Sequence, residues 1–215
     1  MNNLPNQFFY SKKEDRLNVL SHGIGFILSI IGLIFLINKG LKNFNLTYFM
    51  SLLIYGLSLS TMYIASTLYH NSKTANSRYN LRMFDMISIY ILIAGSYTPF
   101  TLILLKDNQG WLLFTIIWLL AFFGIAWKVF TVGKYNLVTT SLYIFMGGLW
   151  LFFYESFVSQ IPSDALWWIT AGCVTYLAGV IFYLLDNKLK YNHFIWHLFV
   201  LAASGCHYIS IYFYI

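Results

Sequence analysis

Three short stretches carry residue types that do chemistry at a defined spacing. Residues 66–70 read STLYH, an SxxxH pattern with Ser66 and His70. Residues 193–197 read HFIWH, an HxxxH pattern with His193 and His197. Asp85 lies between them, within an otherwise apolar stretch. Residues four apart in a helix share one face, with Cβ atoms about 6 Å apart, so an HxxxH pair supplies two imidazoles in fixed mutual geometry. Three imidazoles with an open fourth position make a catalytic zinc shell. His193 and His197 would supply two ligands and His70 the third. Asp85 would face the open position as a hydrogen-bond acceptor for water, whose acidity a zinc ion raises. Ser66, one turn deeper than His70, would donate to a developing oxyanion or orient a neighbouring group.

That constellation needs elements that bring distant segments to one place, and composition says which. Hydrophobic types make up 59% of the 215 residues and charged types 9%. A soluble domain carries about 25% charged residues, so this is an all-α polytopic membrane protein, expected in the cell (plasma) membrane. A span needs about 20 apolar residues, and seven stretches qualify or nearly so: 17–37, 46–70, 83–105, 111–127, 137–154, 165–185 and 193–215. The fourth and fifth are short and are expected to extend into their flanks. The first apolar run exceeds the roughly 7–15 residues of a signal-peptide core, so it is read as a retained span. The organisation expected is a polar tail over residues 1–16 and a single seven-helix domain over 17–215. Pro99 falls inside the third span, where a kink is expected.

Basic residues set the orientation. With the N-terminus in the cytoplasm, that side holds Lys12, Lys13, Arg16, Lys73, Arg78, Arg82, Lys128, Lys134, Lys188 and Lys190, against Lys39, Lys42 and Lys106 opposite. Such an excess marks the cytoplasmic side and leaves the C-terminus outside. The net charge of +6 is thus a topology signal and a contact for anionic headgroups, not a nucleic-acid footprint. Cys173 and Cys206 lie in apolar runs and form neither a CxxC motif nor a disulfide framework. In this topology the second span ends, and the third and seventh begin, on the cytoplasmic side. Ser66, His70, Asp85, His193 and His197 therefore share one depth, within about two turns at a rise of about 1.5 Å per residue, although they come from three helices. An intramembrane carboxylate is itself a candidate functional group. His207, ten residues beyond His197, lies about 15 Å further along the helix and is expected to be a hydrogen-bonded bundle histidine. His22, at the start of the first span, is expected to pack at the interface or to approach the site from outside the ligand set. Glu14 and Asn18 are expected to cap or brace the first span's entry. Gly95, Ser96 and Pro99 are expected to permit close packing or a bend.

The segments SHGIGF (21–26), SxxxH (66–70), DMISIYILIAGSYTPF (85–100) and HFIWHLFVLAASGCH (193–207), with ExxxNxxSH at 14–22, resemble the hemolysin III-related proteins. These are the bacterial branch of the progestin and adiponectin-receptor family, within a superfamily of seven-span hydrolases that includes alkaline ceramidases. The resemblance implies zinc held by His70, His193 and His197, a water held by Asp85, and Ser66 near the metal. It also implies hydrolysis of a membrane lipid amide or ester. It does not imply hormone reception, because this chain lacks the long N-terminal region of the receptor branch. A zinc-stabilised, non-enzymatic sensor of lipid state and a hemolysin-type pore stay open as alternatives, as do the lipid and the oligomeric state.

Overall fold

The computed structural model describes residues 10–43, 45–105, 108–132, 134–186 and 188–215. Most of the expected N-terminal tail, residues 1–9, and Lys106 from the basic-residue pattern lie outside them. The described residues form eight α-helices: α1 (Lys12–Leu41), α2 (Leu46–Asn71), α3 (Ala75–Pro99), α4 (Asn108–Phe130), α5 (Asn136–Gly148), α6 (Tyr154–Gln160), α7 (Ser163–Leu184) and α8 (Asn192–Tyr214). A 3₁₀ stretch, Leu149–Phe153, joins α5 to α6, so the two act as one bent span. Seven spans are long and apolar enough to cross a membrane, as expected. The chain is a multi-pass membrane protein.

Several helices outrun the apolar stretches that announce them, because capping rather than hydropathy sets their ends. Ser11 and Glu14 form a reciprocal capping box, which starts α1 five residues before Leu17. Thr74 accepts a hydrogen bond from the Ser77 amide and starts α3 in polar sequence well before Met83. Asp85 is therefore ten residues into its helix rather than one turn. The backbone responds to Pro99, which lacks an N–H, with a π-helical turn over Phe100–Leu104. Thr98 and Thr101 donate hydroxyl protons to the carbonyls of Ala94 and Tyr97, respectively. Such side-chain bonds satisfy backbone groups that lipid cannot.

α1 shows how the bundle packs. Its buried stripe is Asn18, Ser21, His22, Gly25, Ser29, Gly32, Leu36 and Gly40, small or polar at nearly every position. Its outer face exposes Leu20, Ile24, Ile27, Leu28, Ile31, Ile34 and Phe35. This inverts a soluble helix. Lipid is as apolar as leucine, so association relies on close approach and hydrogen bonds instead. A Cβ on Gly25 would stand 2.6 Å from the Tyr63 ring of α2 and 2.8 Å from Leu201 of α8, and one on Gly32 would stand 2.8 Å from Tyr208. α1 thus lies in the groove between α2 and α8. Round the ring, α2 packs on α3, α3 on α4, and α7 on α8, while α5 touches α3, α4 and α7. One end of α1, α2, α3 and α8 is thereby gathered on the face where α1 begins.

Gly95 sets the spacing of α2 and α3. An added Cβ there would lie 2.7 Å from the Ser58 Cβ, an atom that moves only with its backbone. Gly95→Val should therefore destabilise the bundle by about 1–3 kcal/mol, as overpacking does, and lower the thermal midpoint in detergent. Gly147→Ala, where nothing lies within 4 Å, is the matched control and should leave that midpoint unchanged.

Candidate metal centre

His70 is in the last turn of α2, and His193 and His197 occupy the first two turns of α8. The contact of both helices with α1 aligns these ends. The three rings face one another, with centroids 5.0 Å apart for His70–His193, 5.0 Å for His70–His197 and 4.8 Å for His193–His197. One nitrogen from each lies within 4.8 Å of the others, and all three residues are buried. This buried triad can hold a metal ion.

What brings the right nitrogen forward is the set of hydrogen bonds behind each ring. His70 Nδ1 is 3.2 Å from the Asp15 carboxylate. A carboxylate only accepts, so Nδ1 carries the proton. The Asn18 side-chain nitrogen is 3.3 Å from the same atom while its oxygen is buried without a partner; turning the amide over would set an acceptor against the ring N–H. His193 Nδ1 is 3.1 Å from Asp186 Oδ2 and 3.0 Å from the Tyr10 hydroxyl, which itself donates to Asp186 at 2.6 Å. His197 Nδ1 is 3.1 Å from Ser21 Oγ, whose own proton goes to the Asn18 carbonyl at 3.0 Å. Each Nδ1 thus faces a partner outside the triad, which leaves Nε2 as the nitrogen available to a metal.

The Nε2 of His70 is buried without a hydrogen-bond partner. Leaving such an atom unmet costs about 1–3 kcal/mol, and a metal ion would meet it. Three imidazole nitrogens backed by carboxylates or a hydroxyl are the donor set and supporting shell that zinc and related divalent ions favour. The residues fit the group.

The supports are themselves anchored. Arg78 of α3 donates to Asp15 at 2.8 Å and to the Ser72 carbonyl at 3.2 Å, and its guanidinium lies over the Tyr69 ring. Glu14 accepts the Tyr191 amide at 2.9 Å. That bond fixes the turn before α8, where Tyr191 has a positive φ of 66°. Burial works against the charged form of Asp186, but hydrogen bonds from His193 and Tyr10 outweigh it and hold this carboxyl below its ordinary range. The Tyr10 phenol is pushed well above its ordinary value, first by burial and then by neighbouring Tyr69 and Asp186. It therefore stays protonated and able to donate.

Asp85 and Ser66 meet beside the triad. Asp85 lies near enough to Ser66 and to His193 for both to act on its carboxyl group. His22 lies against the site: it stacks on His197 at 3.5 Å between centroids and 10° between planes, and meets Tyr63 edge-on. His207 stays apart, with Nε2 3.3 Å from the Ile169 carbonyl and its ring against Tyr176.

Sequence reasoning missed Asp15, Asp186, Tyr10 and Ser21. The two acids fall in polar connecting sequence, where a carboxylate is unremarkable. The available signal was ExxxNxxSH, because Glu14, Asn18, Ser21 and His22 lie on one helical face that had to point somewhere. Arg78→Met would strip Asp15 of its cation. The expected outcome is a loss of about 1–3 kcal/mol, the scale of hydrogen bonds to charged groups, seen as a lower unfolding midpoint in detergent.

The sequence has known relatives. Residues 10–208 match the family described as Haemolysin-III related. The chain is 38% identical to "Hemolysin-3" of Bacillus cereus, over 94% of this chain and 92% of that protein. It is 35% identical to a "Hemolysin-3 homolog" of Bacillus subtilis (strain 168), over 95% and 96% respectively. It is also 31% identical to the human "Monocyte to macrophage differentiation factor", over 75% of this chain and 69% of that one. No solved structure matches. From Tyr10 to Tyr208, a stretch that includes all three histidines of the triad, this chain is a member of the haemolysin-III related family.

Proposed function

We propose that the protein is a zinc-dependent hydrolase acting on an amide or ester bond of a membrane lipid, reached from the cytoplasmic leaflet. The observation that carries this reading is a buried histidine triad with a carboxylate, Asp85, close to His193 and to Ser66. The zinc would be held by His70, His193 and His197. When bound, it supplies Lewis acidity and lowers the pKa of a water toward about 7.

The chain's own residues account for the rest. Asp85 takes the proton from the attacking water and returns it to the departing nitrogen or oxygen as the carbonyl carbon's bond to that atom breaks. Ser66 holds the carboxylate in place. Its closeness to Asp85 supports positioning over donation to an oxyanion. Asp15, Asp186 and Ser21 fix the imidazoles, and the burial of the triad excludes bulk water. The basic residues on the face where α1 begins support its cytoplasmic location. The bundle centre is filled by Leu52, Tyr55, Leu59, Leu92, Tyr97 and Val200, which favours a packed site over a water-filled pore.

Purified protein should contain about one zinc per chain by elemental analysis, the stoichiometry of a single three-histidine shell, and His197→Ala should lose it. Wild-type protein that neither retains zinc nor rebinds it would overturn the metal site. Asp186→Ala should keep the fold and weaken zinc affinity by about 10–100-fold, as loss of a supporting carboxylate does; titration against a competing chelator measures this. Asp85→Ala should retain zinc yet release no fatty acid from a native lipid extract, as followed by mass spectrometry. Equal turnover in that variant would remove Asp85 from the chemistry. Intact lipid recovered from active-site-competent, zinc-loaded wild type would favour the non-enzymatic sensor.

A further inference from the structure

Tyr10 stands outside the helix it precedes. α1 begins at Lys12, and its cap is closed between Ser11 and Glu14, each side chain accepting the other's amide. Among the described residues no backbone hydrogen bond ties Tyr10 to α1, so its side chain can swing away while the cap stays formed. Yet its side chain reaches inward. Its ring lies 4.8 Å from the His193 ring and 5.4 Å from the His70 ring, and its hydroxyl bonds both Asp186 and His193. His193 is also the most exposed of the triad, at 8% against 2% for His70 and 1% for His197. The side chain thus rests at the edge where the triad comes nearest to solvent. It is tied there by two hydrogen bonds from one hydroxyl to partners belonging to the α7–α8 turn and α8.

We propose that Tyr10 is a displaceable cover on the metal centre: it holds His193 and Asp186 in register while closed, and its departure opens the triad to metal ions and small reagents from the face where α1 begins. The inference rests on the zinc reading above. It differs from the roles of Asp15 and Asp186, which would hold the ligands whether the site is open or closed. A cover changes the rates of entry and exit more than the equilibrium. Tyr10→Ala removes the whole cover. Tyr10→Phe keeps the ring and deletes both ties.

The test uses full-length protein in detergent and two readouts. In the first, zinc-loaded wild type, Tyr10→Phe and Tyr10→Ala are mixed with a colorimetric chelator and the release rate is followed. Tyr10→Ala should release zinc several-fold faster than wild type, with Tyr10→Phe between them and zinc stoichiometry unchanged in all three. In the second, metal-free protein is treated with diethylpyrocarbonate and modification of His193 is quantified by mass spectrometry. His193 should be protected in wild type and readily modified in Tyr10→Ala. This arm needs no metal, so it still decides the matter if the wild type proves unable to bind zinc, an outcome that would sink the zinc reading by itself. Equal labelling of His193 in both proteins overturns the cover. Equal release rates do the same, and so does a Tyr10→Ala chain that folds but never acquires zinc, which would make Tyr10 part of the site's foundation.

Discussion

The arrangement depends on one constraint: three imidazoles buried at the end of a membrane bundle must each spend one nitrogen to keep the other free. An imidazole in a water-poor interior has two polar atoms to satisfy, and an unanchored ring would turn either of them toward the nearest partner. Here each Nδ1 has a partner outside the triad: Asp15 for His70, Asp186 and Tyr10 for His193, Ser21 for His197. One nitrogen of each ring lies within 4.8 Å of the other two. Supporting partners of this kind fix tautomer and orientation at metal sites generally, and at this site they come from segments that supply no ligand.

That division of labour explains the character of α1. It contributes no histidine to the triad, yet Asp15, Asn18 and Ser21 line the site and Glu14 reaches across to the turn before α8. To do so it must lie close to α2 and α8 at once, and in lipid that closeness comes from small residues rather than from an apolar face. Gly25 against Tyr63 and Gly32 against Tyr208 are the packing counterpart of the hydrogen bonds at the site. Further along the same interface, Tyr63 bonds Ser204 and Tyr208 bonds the Gly32 carbonyl, so the register of α8 against α1 and α2 is held at several depths. A slip of one turn would carry His193 and His197 away from their anchors together.

Much of this was legible from the chain. Hydropathy alone located the seven spans, and helix direction alone put Ser66, His70, Asp85, His193 and His197 at one boundary, because depth follows from counting residues along alternating helices. Separation across the bundle does not follow from counting, and the sequence was silent on it. The helix ends were misjudged at Ser11 and Thr74 because capping residues are polar and an apolar window stops before them. Asp15 and Asp186 were passed over for the same reason: in sequence they look like solvated connector acids, and only the approach of α1 to α2 and of the α7–α8 turn to α8 turns them inward. His22 was read as packing at the interface or approaching the site, and its stacking on His197 depends on a ring orientation that spacing does not encode.

Each ring's tautomer decides which nitrogen faces the metal, and nitrogen NMR reads tautomers directly. In metal-free protein labelled with ¹⁵N-histidine, with signals assigned by single substitutions, His70, His193 and His197 should each carry the proton on Nδ1 and show a bare Nε2. A proton found on Nε2 of these three rings would mean that the anchors do not hold them as described, and the convergence of donor atoms would lose its physical basis.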